Sequence, residues 1–235
     1  MSRKELSIVT GASRGIGKAI ALRLASEKHD VMIFGRDISA LESVRNEILS
    51  KGAECEYFSG DAGDQKFVDR SVKEILDKYG NVDHLINNAG MGILKMFVDS
   101  NLNEFKEQVN VNIFGVYNFT KAVIPSMIEN KKGTVINIAS LAGKNAFKGG
   151  TMYSATKHAV LGFSKSLMLE VREYNVKVAA VCPGSVDTEF FTTAGVQKTG
   201  ARLLTPSDVA EVVMTIINLP PNALLSEVDL RPTNP

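Results

Sequence analysis

The 235-residue chain has only two cysteines, Cys55 and Cys182. They sit far apart in apolar stretches, without the CxxC spacing of a redox or zinc pair. Two buried, reduced thiols in an intracellular protein are therefore expected. Excess charge of one sign is also missing: Lys plus Arg number 27 and Asp plus Glu 26. Such a balance offers no electrostatic footprint for nucleic acid or an anionic membrane, and neither is expected as a partner. No apolar run approaches the ~20 residues of a membrane span. The first residues show no apolar leader with a cleavage site, which makes a cytoplasmic location the expectation. Linkers, repeats and low-complexity tracts are absent too, so one domain over 1–235 is expected. The three histidines, His29, His84 and His158, form no pair with ligand-like spacing and a third donor, so no metal is expected. His158, next to Lys157, reads as structural. At this length roughly 70–75% of the unfolded surface can be buried, without help from disulfides or metal.

What is present is an alternation of two periods. Leu6–Thr10, Val31–Phe34, Glu54–Phe58, Val82–Ile86, Thr134–Ile138 and Val176–Val181 are short and rich in β-branched or apolar residues, and Glu227–Leu230 is a weaker seventh. Several are too uniformly apolar to be half-solvated, which predicts parallel strands covered on both faces. Between them, helical spacing places Leu41, Val44, Ile48 and Leu49 on one face, and likewise Val68, Val72, Ile75, Leu76 and Tyr79. Val209, Val212, Val213, Ile216 and Ile217 repeat the pattern in a helix with Thr205 as N-cap, Pro206 at its first position and Asp208 in its first turn. A long helical segment over 103–129 carries Pro125, which should bend or break it. Strand–helix alternation throughout predicts a single-domain, Rossmann-type α/β fold, a doubly wound parallel sheet of about seven strands with helices on both faces. Ligands of such sheets bind beyond the carboxyl ends of the strands.

The first strand leads into Thr10-Gly11-Ala12-Ser13-Arg14-Gly15-Ile16-Gly17 and then a helix. Glycines there permit a tight turn, close approach of backbone to a pyrophosphate, and close packing of the helix on the sheet. The helix start offers free N–H groups and a positive dipole end to phosphates. The spacing is GxxxGxG, and its position at the opening of a βαβ unit carries more weight than the glycine count. The second strand ends Phe34-Gly35-Arg36-Asp37. A basic residue where an acid usually takes the ribose hydroxyl points to a phosphate, which Arg36 could fork, with Arg14 and Ser13 in reach. NADP(H) is therefore expected over NAD(H). The alternative is a solvated Arg36 with Asp37 on the ribose.

Tyr153 and Lys157 are spaced to share one helix face. A neighbouring ammonium should lower the phenol's pKa and fit Tyr153 to exchange a proton with an alkoxide or alcohol. Ser140 follows the fifth strand and could donate to a carbonyl oxygen as charge builds. Asn112 is a polar residue inside the apolar helical stretch 109–116.

Together these residues resemble a short-chain dehydrogenase/reductase. The likeness covers nearly the whole chain: TGASRGIG at Thr10–Gly17, Asp61 after the third strand, Asn87-Asn88-Ala89-Gly90 after the fourth, Asn112, Ser140, YSATK at Tyr153–Lys157, and Pro183-Gly184 followed by Thr188. The resemblance implies a carbonyl or alcohol oxidoreductase in which Tyr153 is the acid/base and Ser140 polarises the substrate. Lys157 would hold the nicotinamide ribose and tune Tyr153, and Asn112 would hold a water relaying protons to Lys157. Asp61 would contact adenine, and Asn88, Ala89 and Gly90 would line the cofactor. Gly11, Ser13, Arg14, Gly15, Ile16 and Gly17 would belong to the cofactor site, with Ile16 near the pyrophosphate. Pro183, Gly184 and Val186 would flank the nicotinamide, and Thr188 its carboxamide or the phosphates.

In such proteins the segment after the sixth strand covers the substrate; here it is 187–205, with Phe190, Phe191 and Ala194-Gly195. It is short, which suggests an open or small pocket, and its apolar residues suggest a non-ionic substrate end. Met91, Ile93, Leu94, Ala142 and Phe147 are further wall candidates. A glycine-rich C-terminal tail is absent, which weakens a 3-oxoacyl-carrier-protein reductase relative to a carbonyl reductase and leaves dimer against tetramer open. A homo-oligomer packed through helices over 103–129 and 152–174 is expected. A non-catalytic dinucleotide-binding regulator is the third reading, disfavoured by the intact Ser140, Tyr153, Lys157 and Asn112.

Overall fold

The computed structural model describes residues 3–194 and 203–233. Its strands are β1 (Leu6–Thr10), β2 (Asp30–Gly35), β3 (Cys55–Ser59), β4 (His84–Asn87), β5 (Gly133–Ile138), β6 (Val176–Pro183) and β7 (Glu227–Leu230). All pair in parallel, in the order β3-β2-β1-β4-β5-β6-β7. The chain leaves β1 outward through β2 and β3, then returns to the other side of β1 at β4. The loops after β1 and β4 thus part at the sheet's centre and leave a crevice there. β4 begins two residues later than its apolar run; Asp83, just before it, accepts from Arg3 Nη2 at 2.7 Å and from the backbone N–H of Leu6 at 2.8 Å.

Strand alternation splits the core in two. Val9, Ile33, Ile86, Ile136 and Val181 face α1 (Gly15–Ser26), α2 (Ile38–Ser50) and α8 (Pro206–Asn218). Ile8, Met32, Leu85, Val135 and Val178 face α3 (Gln65–Tyr79), α5 (Gly115–Glu129) and α6 (Thr151–Val171). The expected helix faces turn inward as patterned, with Leu76, Tyr79, Val212 and Ile217 half-buried at their edges, and Leu49 alone of the set is exposed. Thr205 and Asp208 form a reciprocal capping box with Pro206 behind the cap. Both cysteines are free and buried, and burial pushes the Cys55 thiol up to about 12. No helix among the described residues is long and apolar enough to cross a membrane.

The break expected at Pro125 lies elsewhere. Pro125 sits inside α5, where the carbonyl it leaves unmatched is that of exposed Lys121 and can meet solvent. The irregularity comes earlier: α4 (Leu102–Val109) passes into a widened π turn at Asn110–Phe114 before α5 begins. Such turns mark sites where a helix is distorted for a local contact, and Asn112 is at the centre of this one.

The histidines are less scattered than their sequence spacing suggests. β1, β2 and β4 start side by side, and His29 and His84 meet there with ring centroids 5.3 Å apart. Glu5 accepts from His84 Nε2 at 3.0 Å and from Lys132 at 2.8 Å, and Ser7 Oγ lies 3.2 Å from His29 Nδ1. The three candidate donor atoms of Glu5, His29 and His84 fall within 4.8 Å of one another, but Glu5 is already matched by His84 and Lys132. Burial and the neighbouring His84 lower the pKa of His29 below its ordinary 6.5. Hydrogen bonds from His84 and Lys132 hold Glu5 well below the carboxylate range. Both shifts are depressions, so both groups stabilise the fold above their unfolded values, and that stability is lost as pH falls. We expect Tm to drop as pH is lowered from about 7 to about 5, and His29→Gln to flatten the upper part of that drop. An unchanged Tm–pH slope in the variant, by scanning calorimetry, counts against this origin.

Candidate active site

The loops after β1 and β4 together line a cavity of about 1300 Å³. One end is built by the glycine turn. Gly11 and Gly15 adopt φ of 64° and 55°, conformations that side chains resist. A Cβ at Gly11 would lie 2.8 Å from Ala89 Cα, so its absence lets the two loops touch. They are then clamped. Asn88 Nδ2 donates to the carbonyls of Thr10 at 3.0 Å and Gly11 at 3.1 Å. Thr10 Oγ1 accepts from the N–H groups of Asn88 at 3.0 Å and Ala89 at 2.9 Å. Thr10 is not among the expected site residues; its position at the head of the glycine turn is the signal that could have found it. Gly17, expected among the cofactor-binding residues, has a packing role in this structure. It is buried outside the cavity wall, and a Cβ there would stand 2.2 Å from Gly11 O. α1 starts without a side-chain cap, whereas α2, α3, α4 and α8 each have one. The first N–H groups of α1 are thus left for an anion in the cleft.

Beyond the turn, Arg36 faces the cavity and Asp37 does not. Asp37 Oδ1 is used as the cap of α2, accepting from Ala40 N at 3.1 Å and Ser39 Oγ at 2.8 Å. An acid so committed is not presented to a ribose, and Arg36 is exposed at the cavity's edge. Ser13 and Arg14 line the same end, with Arg14 paired to Glu189. Asp61 lines it too, oriented by Gly63 N at 2.9 Å and by Asn110 Nδ2 at 3.0 Å.

At the other end β5 delivers Ser140 and α6 delivers Tyr153 and Lys157. Ser140 caps a short turn by accepting from Ala142 N at 3.1 Å, and its hydroxyl draws the pKa of the Tyr153 phenol down. Lys157 is buried, with its ammonium 5.8 Å from the Tyr153 ring centroid and donating to Ile138 O at 2.9 Å. That carbonyl is its one hydrogen-bond partner among the described residues, so the remaining N–H groups are available in the cleft. Desolvation decides both pKa values. It raises Tyr153 to about 12 against the pull of Ser140, and lowers Lys157 to about 8. The expected lowering of Tyr153 by Lys157 is therefore not met by the protein's own groups: burial outweighs an ammonium at this distance.

Asn112 is brought behind this pair rather than into the cavity wall. Its side chain accepts from Met91 N at 2.8 Å and donates to Met91 O at 2.8 Å and Thr156 Oγ1 at 2.9 Å. It straps the loop after β4 to α6, one residue from Lys157. Asn87 braces the same region, donating to Asn137 Oδ1 at 2.8 Å and Thr120 Oγ1 at 3.1 Å. Gly15, Ile16, Asn88, Ala89, Gly90, Pro183, Gly184, Val186 and Thr188 all line the cavity. Of the expected substrate wall, Met91, Leu94, Ala142, Phe147 and Phe190 line it, and Ile93 does not. Gly195 lies outside the described residues, as does the side chain of Phe191.

A doubly wound parallel sheet, a phosphate-type turn at its switch point and a Tyr–Lys–Ser group across the same cleft define a Rossmann-type oxidoreductase. The chain matches the short chain dehydrogenase family model over residues 5–199, and it belongs to that family. It is similar to an uncharacterized oxidoreductase of Staphylococcus aureus strain MRSA252, 34% identical over 228 residues that cover 97% of each chain. Among solved structures it resembles an alcohol dehydrogenase of the archaeon Thermococcus sibiricus complexed with 5-hydroxy-NADP. The TM-score there is 0.90 and the identity 29%, over 97% of this chain and 96% of that one. A metagenomic short-chain oxidoreductase in complex with NADP is similar at a TM-score of 0.86 and 33% identity, over 97% of both chains.

Two outcomes follow from the geometry. Asn88→Ala removes both donors to the glycine turn and should destabilise the protein by about 1–3 kcal/mol in denaturant unfolding, because buried carbonyls lose their partners. Lys157 is charged below about 8 and loses its charge as pH rises through that value. The kcat/KM profile should then carry a limb near that pH, absent from any residual activity of Lys157→Met.

Proposed function

We propose that the protein is an NADP(H)-dependent dehydrogenase/reductase acting on a carbonyl or secondary alcohol carbon, one of the CH–OH-directed enzymes. The observation that carries this reading is the buried Lys157 ammonium beside Tyr153 and Ser140 in the cleft that the glycine turn opens. The residues present suit a dinucleotide. The uncapped start of α1 takes the pyrophosphate, the spare donors of Lys157 take a ribose, and Arg36 with Ser13 and Arg14 takes a 2′-phosphate. The bound nicotinamide supplies or accepts the hydride.

The chain's own groups handle the oxygen and its proton. Ser140 donates to the carbonyl oxygen and stabilises the charge that builds there. Tyr153, kept protonated at neutral pH by its burial, gives its proton to that oxygen as the alkoxide forms. Lys157 below about pH 8 keeps positive charge beside the phenolate left behind and favours it. In the alcohol-oxidising direction the same groups act in reverse. Asn112 is a positioning residue: its side chain fixes Met91 and Thr156, and with them the wall around Lys157. We also propose a homo-oligomer, since α5 and α6 leave Tyr117 and Leu169 exposed on their outer surfaces.

Tyr153→Phe is expected to cut kcat by roughly 10²-fold or more in NADPH-coupled reduction of a ketone panel, with NADPH affinity by fluorescence titration nearly unchanged. Substantial turnover in that variant would falsify the proton-transfer role. Arg36→Ala should weaken NADPH by about tenfold or more and leave NADH little affected; equal loss for both cofactors excludes the 2′-phosphate role.

A further inference from the structure

The cavity does not end at Tyr153. At about 1300 Å³ it exceeds the ~300–1,000 Å³ of single-ligand pockets, which leaves room for a second molecule beside a dinucleotide. Past the reacting hydroxyl much of its wall is apolar, with Lys95, Asn145 and Lys148 as the polar residues of the same stretch. Phe190 lies against the Tyr153 ring, centroids 5.5 Å apart, and is seated over Gly92, where a Cβ would stand 2.4 Å from the ring edge. A glycine at 92 is thus what lets an aromatic ring stand beside the hydroxyl. Leu94, Met96 and Phe147 also line the cavity.

These segments are fixed to one another. Lys95 N donates to Gly149 O at 3.0 Å, and Leu94 N to Ala194 O at 3.3 Å, so the loop after β4 is held between the 146–149 loop and α7 (Phe190–Thr193). Phe147 is itself seated on Gly150, where a Cβ would be 2.4 Å from its ring. Yet the mouth so built leaves large apolar side chains in water: Met96 is 45% exposed and Phe147 43%, and outside them Phe97 is 67% and Val98 86% exposed. One exposed phenylalanine is ordinary; a run continuous with the reactive cleft marks a binding surface. Lys95, also in the lining, is already matched: its ammonium donates to Glu104 at 2.5 Å and to Asp99 O at 3.3 Å.

Resting on the oxidoreductase reading above, we propose that this mouth is a subsite for an apolar tail. The substrate class is then a carbonyl or alcohol compound with an extended aliphatic or aromatic group beyond the reacting carbon, rather than a small ionised keto acid or a sugar. Phe190 is the wall beside the reacting carbon, and Met96 and Phe147 grip the tail.

The test is the NADPH-dependent kcat/KM of the full chain for methyl ketones from butanone to decanone, beside keto acids of matching length. We expect a rise of roughly three- to fourfold per methylene over the first several, the ratio set by burying a CH₂. Met96→Ser with Phe147→Ser should at least halve the logarithmic slope, while NADPH fluorescence titration reports an intact cofactor site. Turnover that is flat with chain length, or a slope unaltered in the double variant, overturns the subsite and leaves the oxidoreductase reading standing. A keto acid preferred over its methyl ketone overturns it in favour of an anionic substrate held by exposed Lys148. NADPH binding without turnover of any ketone or thioester sinks the oxidoreductase reading itself, and this inference with it.

Discussion

An ammonium group buried at the carboxyl edge of a parallel sheet is the constraint around which this site is arranged. A buried lysine is unfavourable unless a partner meets it, and Lys157 meets the carbonyl of Ile138 at the end of β5. That bond sets α6 at a fixed height over the sheet. The height places Tyr153, one turn earlier, across from Ser140, which leaves the same strand two residues after Ile138. The arrangement keeps the lysine's remaining donors in the cleft, where the protein has no further use for them. The same burial moves the phenol and the ammonium in opposite senses, to about 12 and about 8. The phenol is thereby kept protonated at neutral pH, and the neighbouring ammonium titrates just above neutrality.

The sheet order supplies the second constraint. Because β1 lies between β2 and β4, the turn carrying Gly11 and the loop carrying Asn88 leave from adjacent strands and must share space. Glycine at position 11 makes the contact possible, and Thr10 with Asn88 makes it rigid. A third tie comes from Asn112, held in the π turn between α4 and α5, which bonds Met91 on the far side of that loop. The backbone facing the cleft is therefore preorganised by hydrogen bonds behind it, and the cavity-facing groups are free for ligands.

The two ends of the cleft are also joined along α7. Arg14 of the glycine turn pairs with Glu189, and the next residue, Phe190, rests on Tyr153. The ion pair is exposed on both sides, so salt screens it and its energetic contribution is small. The packing of Phe190 over Gly92 is a van der Waals contact that salt does not screen, and it depends on a missing side chain.

Local patterns are legible in the chain itself. Apolar runs of strand length, helix faces at a period near 3.6, the Thr205–Asp208 box and the four-residue spacing of Tyr153 and Lys157 depend only on neighbours in the chain. The order of motifs along the chain, from TGASRGIG to YSATK, is enough for the fold and for most of the cleft's wall. What escapes such reading depends on residues far apart in sequence. Gly17 packs on Gly11 instead of lining the cleft, Asp37 caps α2, Asn112 stands behind Lys157, and Pro125 is harmless because Lys121 faces water. His29, His84 and Glu5 meet only because three strands begin together. Above all, the sign of the Tyr153 shift is set by how much water the fold removes, a quantity that spacing along a helix does not contain. Sequence alone determined which groups exist and which of them share a helix face or a strand end; the tertiary structure decided their distances and their dielectric surroundings, because burial and convergence are properties of the packed sheet and not of any segment within it.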